Sequence, residues 1–266
     1  MYLKTLQDKN SNYNQSTIPQ FIIEDELYIT RLARTPIELD EALKLRFEVF
    51  NLEMGEGLQS SFQTLRDEDD FDQQCHHLII IEKASQKIIG TYRMQSYDIA
   101  KEGKGFYSND EFVLDSLPVS IIENAAELGR ACIARDFRNK KTLYLLWCGI
   151  ARYAQYTEKR YLFGCCSLKS QDDLEGIKLW QQLKDAGHLD KNFLIGTQPE
   201  YTIRANKLIA NQPEIEMPPL LGMYLRYGAT VISYPAIDRA FKTIDYLVLL
   251  DTHQLSPVAR RMFFGE

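Results

Sequence analysis

One stretch constrains this chain more than any other. E-L-G-R-A-C-I-A-R-D-F-R-N-K-K, residues 127–141, runs straight into T-L-Y-L-L-W-C-G-I-A-R-Y-A. Its first half is an apolar strand that carries a carboxylate, Glu127, and a guanidinium, Arg130, three positions apart. Its second half is a basic turn with Arg135, Arg138, Lys140 and Lys141, and a helix is expected at once, over Lys140 to Tyr156. Charges inside an apolar strand cost free energy unless they are paired or used. Side chains three apart on a regular strand face opposite sides, so two arrangements remain. Either each charge pairs separately at the rim of the sheet, or a β-bulge turns both toward one cleft. In the second arrangement the carboxylate can hold an incoming amine or take its proton.

The other elements alternate around this unit. F-I-I-E-D-E-L-Y-I-T-R-L-A reads as a strand. T-P-I-E-L-D-E-A-L-K-L-R-F-E-V-F-N-L-E-M-G reads as a helix, with Thr35 as its cap, Pro36 in its first turn and Gly55 at its end. H-L-I-I-I-E-K and I-I-G-T-Y-R-M-Q flank a tight A-S-Q-K connection, the pattern of a hairpin. Residues 98–122 read as loop with a short helix. Arg160 to Ser167 reads as a strand, Leu174 to Ala186 as an amphipathic helix, and 218–228 as a short helix ending at Gly228. A-T-V-I-S-Y-P and D-Y-L-V-L-L-D are late strands. This order implies one α/β sheet with mixed strand directions. The expected organisation is a loose polar arm over residues 1–20 and a single domain over 21–266.

Composition excludes several classes. The chain is 45% hydrophobic and 26% charged, ordinary for a globular domain. A net charge of -6 argues against nucleic acid as a partner. The five cysteines include no C-x-x-C pair, and no zinc site is expected. No apolar run reaches the roughly 18 residues of a spanning helix, and no signal region opens the chain, so a reduced, cytoplasmic setting is expected. In D-E-D-D-F-D, Asp69 and Asp72 are candidates for a cation or an amine; the alternative is a solvated acidic loop. The loop lacks the glycine and the ligand count of a calcium loop, and no metal is expected there. Arg46 and Arg93 lie among apolar residues, and His77 at the start of a strand reads as structural. Cys165 and Cys166 have no histidine partner placed by sequence and read as a buried strand end. The basic turn precedes a helix N-terminus, an arrangement suited to phosphate; the alternative is a solvated charged turn.

The ordered set L-R-F-E-V-F, D-E-D-D-F-D-Q-Q-C-H-H-L, G-T-Y-R-M, E-L-G-R-A-C-I-A-R-D-F-R, L-W-C-G-I-A-R-Y and L-F-G-C-C-S resembles the ornithine N-acyltransferase (lyso-ornithine lipid synthase) family of the GNAT superfamily. The tail, from P-P-L-L-G-M-Y-L-R-Y-G-A-T-V to D-Y-L-V-L-L-D, fits as well, and the likeness covers residues 28–252. The N-acyl amino acid synthases and the acyl-homoserine-lactone synthases are related. The resemblance implies an α/β (α+β) fold, a GNAT-like twisted mixed β-sheet flanked by helices and splayed between its fourth and fifth strands. The acyl thioester arm would lie in the splay. A helical insert near 170–204 would either cover the acyl tunnel or be structural.

The resemblance also implies a reaction: transfer of a long-chain fatty acyl group, 3-hydroxylated or not, from acyl carrier protein to the α-amine of an amino acid, ornithine first. The amine attacks directly, and the acyl-phosphopantetheine thioester is a substrate rather than a bound cofactor. The relatives' motifs fall on Arg46, Phe50, Asp69, Asp72, Arg93, Glu127 and Arg130. On this reading Glu127 is base or amine anchor, and Arg93 and Arg130 hold the substrate carboxylate or orient Glu127. Asp69 or Asp72 takes the side-chain ammonium. Backbone N–H groups from Gly129 to Cys132 polarise the thioester carbonyl. Coenzyme-A-using relatives carry a glycine-rich turn where this chain has R-D-F-R-N-K-K. Arg135, Arg138, Lys140 and Lys141 are therefore expected to meet an acidic carrier protein and its single phosphate. The alternatives are another amine (glycine, tyrosine or homoserine lactone), or a non-catalytic acyl-binding or carrier-binding protein. A lipid-like product implies peripheral contact with the inner face of the membrane, although no strongly basic amphipathic helix marks it.

Overall fold

The computed structural model describes residues 18–204 and 214–266. The polar arm expected over 1–20 lies outside these residues as far as position 17. Among the described residues nine strands form one mixed sheet, ordered β1-β2-β3-β4-β5-β6-β9-β7, with β8 also on β9.

The first expected strand is in fact two, β1 (Ile23–Glu24) and β2 (Tyr28–Leu32), paired antiparallel. The Asp25 carboxylate accepts from the backbone N–H of Leu27 and Tyr28 at 2.7 and 2.9 Å and folds the chain back between them. Helix α1 (Pro36–Phe47) begins as read: Thr35 and Glu38 form a reciprocal capping box. Its end differs from the reading. The helix widens into a π-helical turn over Glu48–Glu53, and Gly55 lies beyond that turn at φ 69°. The hairpin is β3 (His76–Glu82) and β4 (Ile88–Ser96), and Gln86 takes the left-handed turn position at φ 59°.

Strand β5 (Ala125–Ile133) and helix α2 (Lys140–Tyr156) follow, the helix with the bounds its sequence gives. β5 is antiparallel to β4 with a break in register. Thr91 pairs with Cys132 but Arg93 pairs with Gly129, so Arg130 and Ala131 together oppose Tyr92. This is a bulge on β5, and Arg130 sits in it with φ 53°, a left-handed conformation that a non-glycine residue adopts at some cost.

Strand β6 (Tyr161–Leu168) runs parallel to β5 but pairs with it only from Ala125–Tyr161 to Glu127–Phe163. Beyond that point the strands diverge. A Cβ at Gly164 would lie 2.0 Å from the Leu128 carbonyl oxygen, so only glycine lets the strands touch where they part. β6 then pairs along its whole length with β9 (Thr243–Asp251), whose outer edge carries β7 (Thr230–Val231) and β8 (Ala236–Asp238). The sheet is thus two halves joined by three residue pairs.

Helix α3 (Asp173–Asp185) packs Leu179 and Leu183 into the main core, and Tyr246 donates to the Gly176 carbonyl at 2.8 Å. The rest of the 170–204 segment is mostly irregular. Helix α4 (Pro219–Arg226) lies across the splay, where the Tyr224 and Tyr92 hydroxyls are hydrogen-bonded. Helix α5 (Pro257–Phe264) stacks Phe263 on Trp147 of α2. Among the described residues no helix is long and apolar enough to cross a membrane.

Gly164→Ala is expected to force β5 and β6 apart and to destabilise the fold by about 1–3 kcal/mol. Urea unfolding at pH 7 measures this, and a loss below about 0.5 kcal/mol would show that the contact is not close.

Candidate active site

The divergence of β5 and β6 opens a cavity of about 1060 Å³. β5 from Glu127 to Ile133 forms one wall, and Cys165, Ser167 and Leu168 of β6 with the following Lys169 form another. α4 and the chain before it, Glu216 to Met223, close it, while Glu53, Arg138 and Asn139 lie at its edge. The lining includes apolar residues, among them Leu128, Leu143, Leu146, Trp147 and Leu221, and charged ones, among them Arg93, Glu127 and Arg130. None of residues 170–204 lines the cavity, so of the two readings of this segment the structural insert stands, and residues 216–223 line the cavity instead.

Behind the bulge lies a buried charge network. Arg46 is 1% exposed. Its Nε and Nη2 lie 2.7 and 2.5 Å from Asp67 Oδ1, and its Nη1 lies 2.6 Å from Asp72 Oδ1. Arg93 Nη1 reaches Asp69 Oδ1 at 2.6 Å and Asp72 Oδ1 at 3.0 Å. Arg130 Nη2 reaches Asp69 Oδ2 at 3.2 Å. Three guanidinium groups therefore meet three carboxylates. Burial alone would raise the Asp72 pKa, but the fields of Arg46 and Arg93 outweigh it and hold the carboxyl well below the usual range. His77 Nε2 donates to the Asp72 backbone carbonyl at 3.0 Å, and burial lowers the His77 pKa to about 4, as befits a neutral structural histidine. Asp69 and Asp72, expected to meet a substrate ammonium, are occupied by arginines and do not line the cavity; nor does Arg46.

The other candidates divide cleanly. Phe50, Arg93, Glu127, Gly129, Arg130 and Cys132 do line the cavity. Phe50 lies in the π-helical turn and packs edge-on to Phe241 with ring centroids 5.7 Å apart. The bulge sets the Arg130 guanidinium between two rings, 4.8 Å from the Tyr107 centroid and 4.5 Å from that of Phe241. Cys132 packs with Leu45, Val49 and Phe241, and burial pushes its thiol up to about 12.

Glu127 is 6% exposed and is not held by an arginine. Its Oε2 accepts from Gln95 Nε2 at 2.7 Å and from the Tyr107 N–H at 2.9 Å, and its Oε1 accepts from the Ser108 N–H at 2.7 Å. The expectation that Arg93 or Arg130 orients Glu127 is thus corrected: a glutamine and two backbone amides do so. Three donors leave a carboxylate with about one free acceptor position.

The basic turn is partly engaged. Arg138 forms a bidentate pair with Glu53 at 2.5 and 2.7 Å, and Lys141 lies 3.0 Å from Asp25. Asn139 caps α2 by accepting from the N–H of Lys141 and Thr142. Arg135 and Lys140 are exposed and form no ion pair among the described residues.

Sequence reasoning missed Asp67, Gln95 and Tyr107, and also a second set of acids, Glu111, Asp238 and Asp245. These three line the cavity, and their oxygens lie within 4.8 Å of one another. Asp67 was visible as the first residue of the acidic loop, D-E-D-D-F-D; nothing in the sequence joins the other residues.

An acyltransferase is the class this fold and cavity define: the family description "Acetyltransferase (GNAT) domain" matches residues 45–148. The L-ornithine N(alpha)-acyltransferase of Brucella abortus (strain 2308) is 32% identical over 240 residues, 85% of this chain and 85% of that protein. The enzyme of the same name from Rhizobium meliloti (strain 1021) is 31% identical over 244 residues, 85% of this chain and 81% of that protein. The chain belongs to the L-ornithine N(alpha)-acyltransferase family. Among solved structures it is similar to the acyl-homoserine-lactone synthase LasI, with a TM-score of 0.48, 13% identity and coverage of 90% of this chain and 95% of that one.

Arg46→Met is expected to leave two buried carboxylates short of a partner and to cost roughly 3–5 kcal/mol. Chemical unfolding at pH 7 reads this directly, and a loss under about 1 kcal/mol would mean that the aspartates do not depend on Arg46.

Proposed function

We propose that this protein transfers a long-chain acyl group from acyl carrier protein to the α-amine of an amino acid, ornithine first, by direct attack of the amine on the thioester. One observation carries the reading: a single cavity joins an apolar arm, a strand bulge and a buried, hydrogen-bonded carboxylate, Glu127. The curated relatives are named for acylation of the ornithine α-nitrogen, which supports the acceptor.

The roles follow from position. The acyl chain lies along Leu143, Leu146, Trp147 and Leu221. Arg130 and Ala131 have no one-to-one partner in β4 and face no β6 neighbour, so backbone N–H groups from Gly129 to Cys132 can meet the thioester oxygen as charge develops. Glu127 holds the α-ammonium and accepts its proton, directly or through one water. The amine nitrogen then bonds to the carbonyl carbon, and the tetrahedral intermediate expels the phosphopantetheine thiolate, which takes up a proton. Cysteine chemistry is disfavoured: burial, and then the charges of Glu111 and Asp245, push the Cys165 thiol far above its ordinary range. At the edge, Arg135 and Lys140 offer exposed positive charge to an acidic carrier protein and the phosphate of its arm. The product, one acyl chain on a polar head, would leave toward the membrane face.

Glu127→Gln is expected to lower kcat about 10²–10⁴-fold with long-chain acyl carrier protein and ornithine. Near-normal turnover in the folded variant would remove Glu127 from proton transfer. The double variant Arg135→Glu, Lys140→Glu is expected to raise KM for the acyl carrier protein about tenfold or more at low ionic strength, and progressively less in 0.5 M salt. An unchanged KM at low salt would move carrier docking elsewhere.

A further inference from the structure

We propose that Glu111, Asp238 and Asp245 form a second acceptor subsite in this cavity, one that takes a distal ammonium on the acceptor's side chain, while Arg130 takes its α-carboxylate. The inference rests on the reading above that the acceptor is an amino acid, and it makes the enzyme selective for diamino acids.

Three separate parts of the chain bring these carboxylates together: the loop before β5, the end of β8 and the start of β9. They are 2%, 5% and 3% exposed, and all three line the cavity that Glu127 also lines. None forms an ion pair among the described residues. Asp238 Oδ1 accepts from the N–H of Ala240 and Phe241 at 2.8 Å each. Asp245 accepts from the hydroxyls of Ser167 and Thr243. Glu111 meets the Tyr107 hydroxyl and, weakly, the Cys165 thiol at 3.9 Å. These neutral donors orient the oxygens but do not balance the charge. Arg130 is the cation nearest in effect, and it is already shared with Asp69.

Two further observations point to a ligand. Arg130 Nε is buried and makes no hydrogen bond, lying 3.4 Å from Asp67 Oδ1, on a side chain that is 10% exposed and lines the same cavity. Its pairing with Asp67 falls short of hydrogen-bond geometry, so the guanidinium is incompletely satisfied and can answer a carboxylate that enters the cavity. The acids lack the opposite partner. Burial first, and then their mutual repulsion, raises the Glu111 pKa well above its ordinary value and that of Asp245 to about 6. Carboxylates crowded without a counter-ion weaken the fold, and an ammonium among them relieves the crowding. A zwitterion with a charged side chain satisfies both needs at once. An apolar side chain of equal length would leave the carboxylates buried and unanswered, and this is how a site rejects an analogue that lacks one polar group.

The same three oxygens could instead enclose a divalent cation, so the experiment separates the two occupants. kcat/KM is measured with long-chain acyl carrier protein for ornithine and for norvaline, which has the same carbon skeleton without the distal amine. The wild type, Glu111→Gln and Asp238→Asn are each assayed in EDTA and in magnesium. Thermal shifts with each amino acid, without donor, are recorded beside them. The wild type is expected to prefer ornithine by about 10²-fold or more, and either variant to cut that ratio at least about tenfold. Ornithine, but not norvaline, is expected to raise the Tm of the wild type, and this rise is expected to shrink in the variants.

An ornithine-to-norvaline ratio near unity in the wild type overturns the subsite, as does an unchanged ratio in both folded variants. Loss of activity toward both amino acids in EDTA, restored by magnesium, assigns the cluster to a metal instead. If no amino acid is acylated from any donor, the proposed function fails. The subsite is then judged by the thermal shift alone: an ornithine-specific rise that the variants lose supports it, and its absence overturns it.

Discussion

Asp72 accepts from Arg46 and Arg93 at the centre of the molecule, and much of the site is arranged around that exchange. Arg46 belongs to α1, Arg93 to β4 and Asp72 to the loop between α1 and β3, so one carboxylate fixes a helix to a strand that is hydrogen-bonded to β5. Asp67 and Asp69 extend the arrangement to Arg130 in the bulge. Burying ions is costly, and apolar residues of equal volume would hold such elements together at least as well. What ion pairs add is direction. Each guanidinium fork donates to its carboxylate in few geometries, which sets the position of the bulge against α1.

The cavity then follows from two irregularities in one strand. The bulge turns Arg130 between Tyr107 and Phe241, and the end of pairing after Glu127 withdraws β6 from the remaining half of β5. Neither would create a site alone. A bulge in a fully paired strand would be covered by its neighbour, and a splay beside a regular strand would expose an ordinary ladder edge. Together they place unpaired backbone, an oriented carboxylate and an apolar arm against one enclosed space.

The elements that depend on neighbours in sequence were legible. The Thr35 cap, the hairpin turn and the bounds of α2 are local devices, and they stand where the pattern put them. The bulge was legible only as one of two options, because the Glu127 and Arg130 spacing states the problem without choosing the solution. Longer-range partners left no such trace. Arg138 looked like free positive charge until Glu53, 85 residues away, was found beside it. Asp69 and Asp72 looked available because an acidic loop reads the same whether it faces water or three arginines. Glu111, Asp238 and Asp245 were three unremarked acids in three segments, brought together only when β8 and β9 close the far side of the cavity.

The charges of the inner network sum to zero: three arginines against three aspartates. A compact neutral group has a field that fades faster with distance than that of a single ion, so the network stiffens the wall, and Arg130 at its inner edge is the member whose charge reaches the acids of the cavity. The negative part of that potential comes from groups outside the network, Glu127 and the three further acids, which anchor no ion pair among the described residues. Scaffold and recognition would therefore be written largely in separate residues, with Arg130 common to both. A lineage could exchange the second set, and with it the amine it accepts, without disturbing the first, and sheets of this design can diversify in substrate while their framework stays fixed.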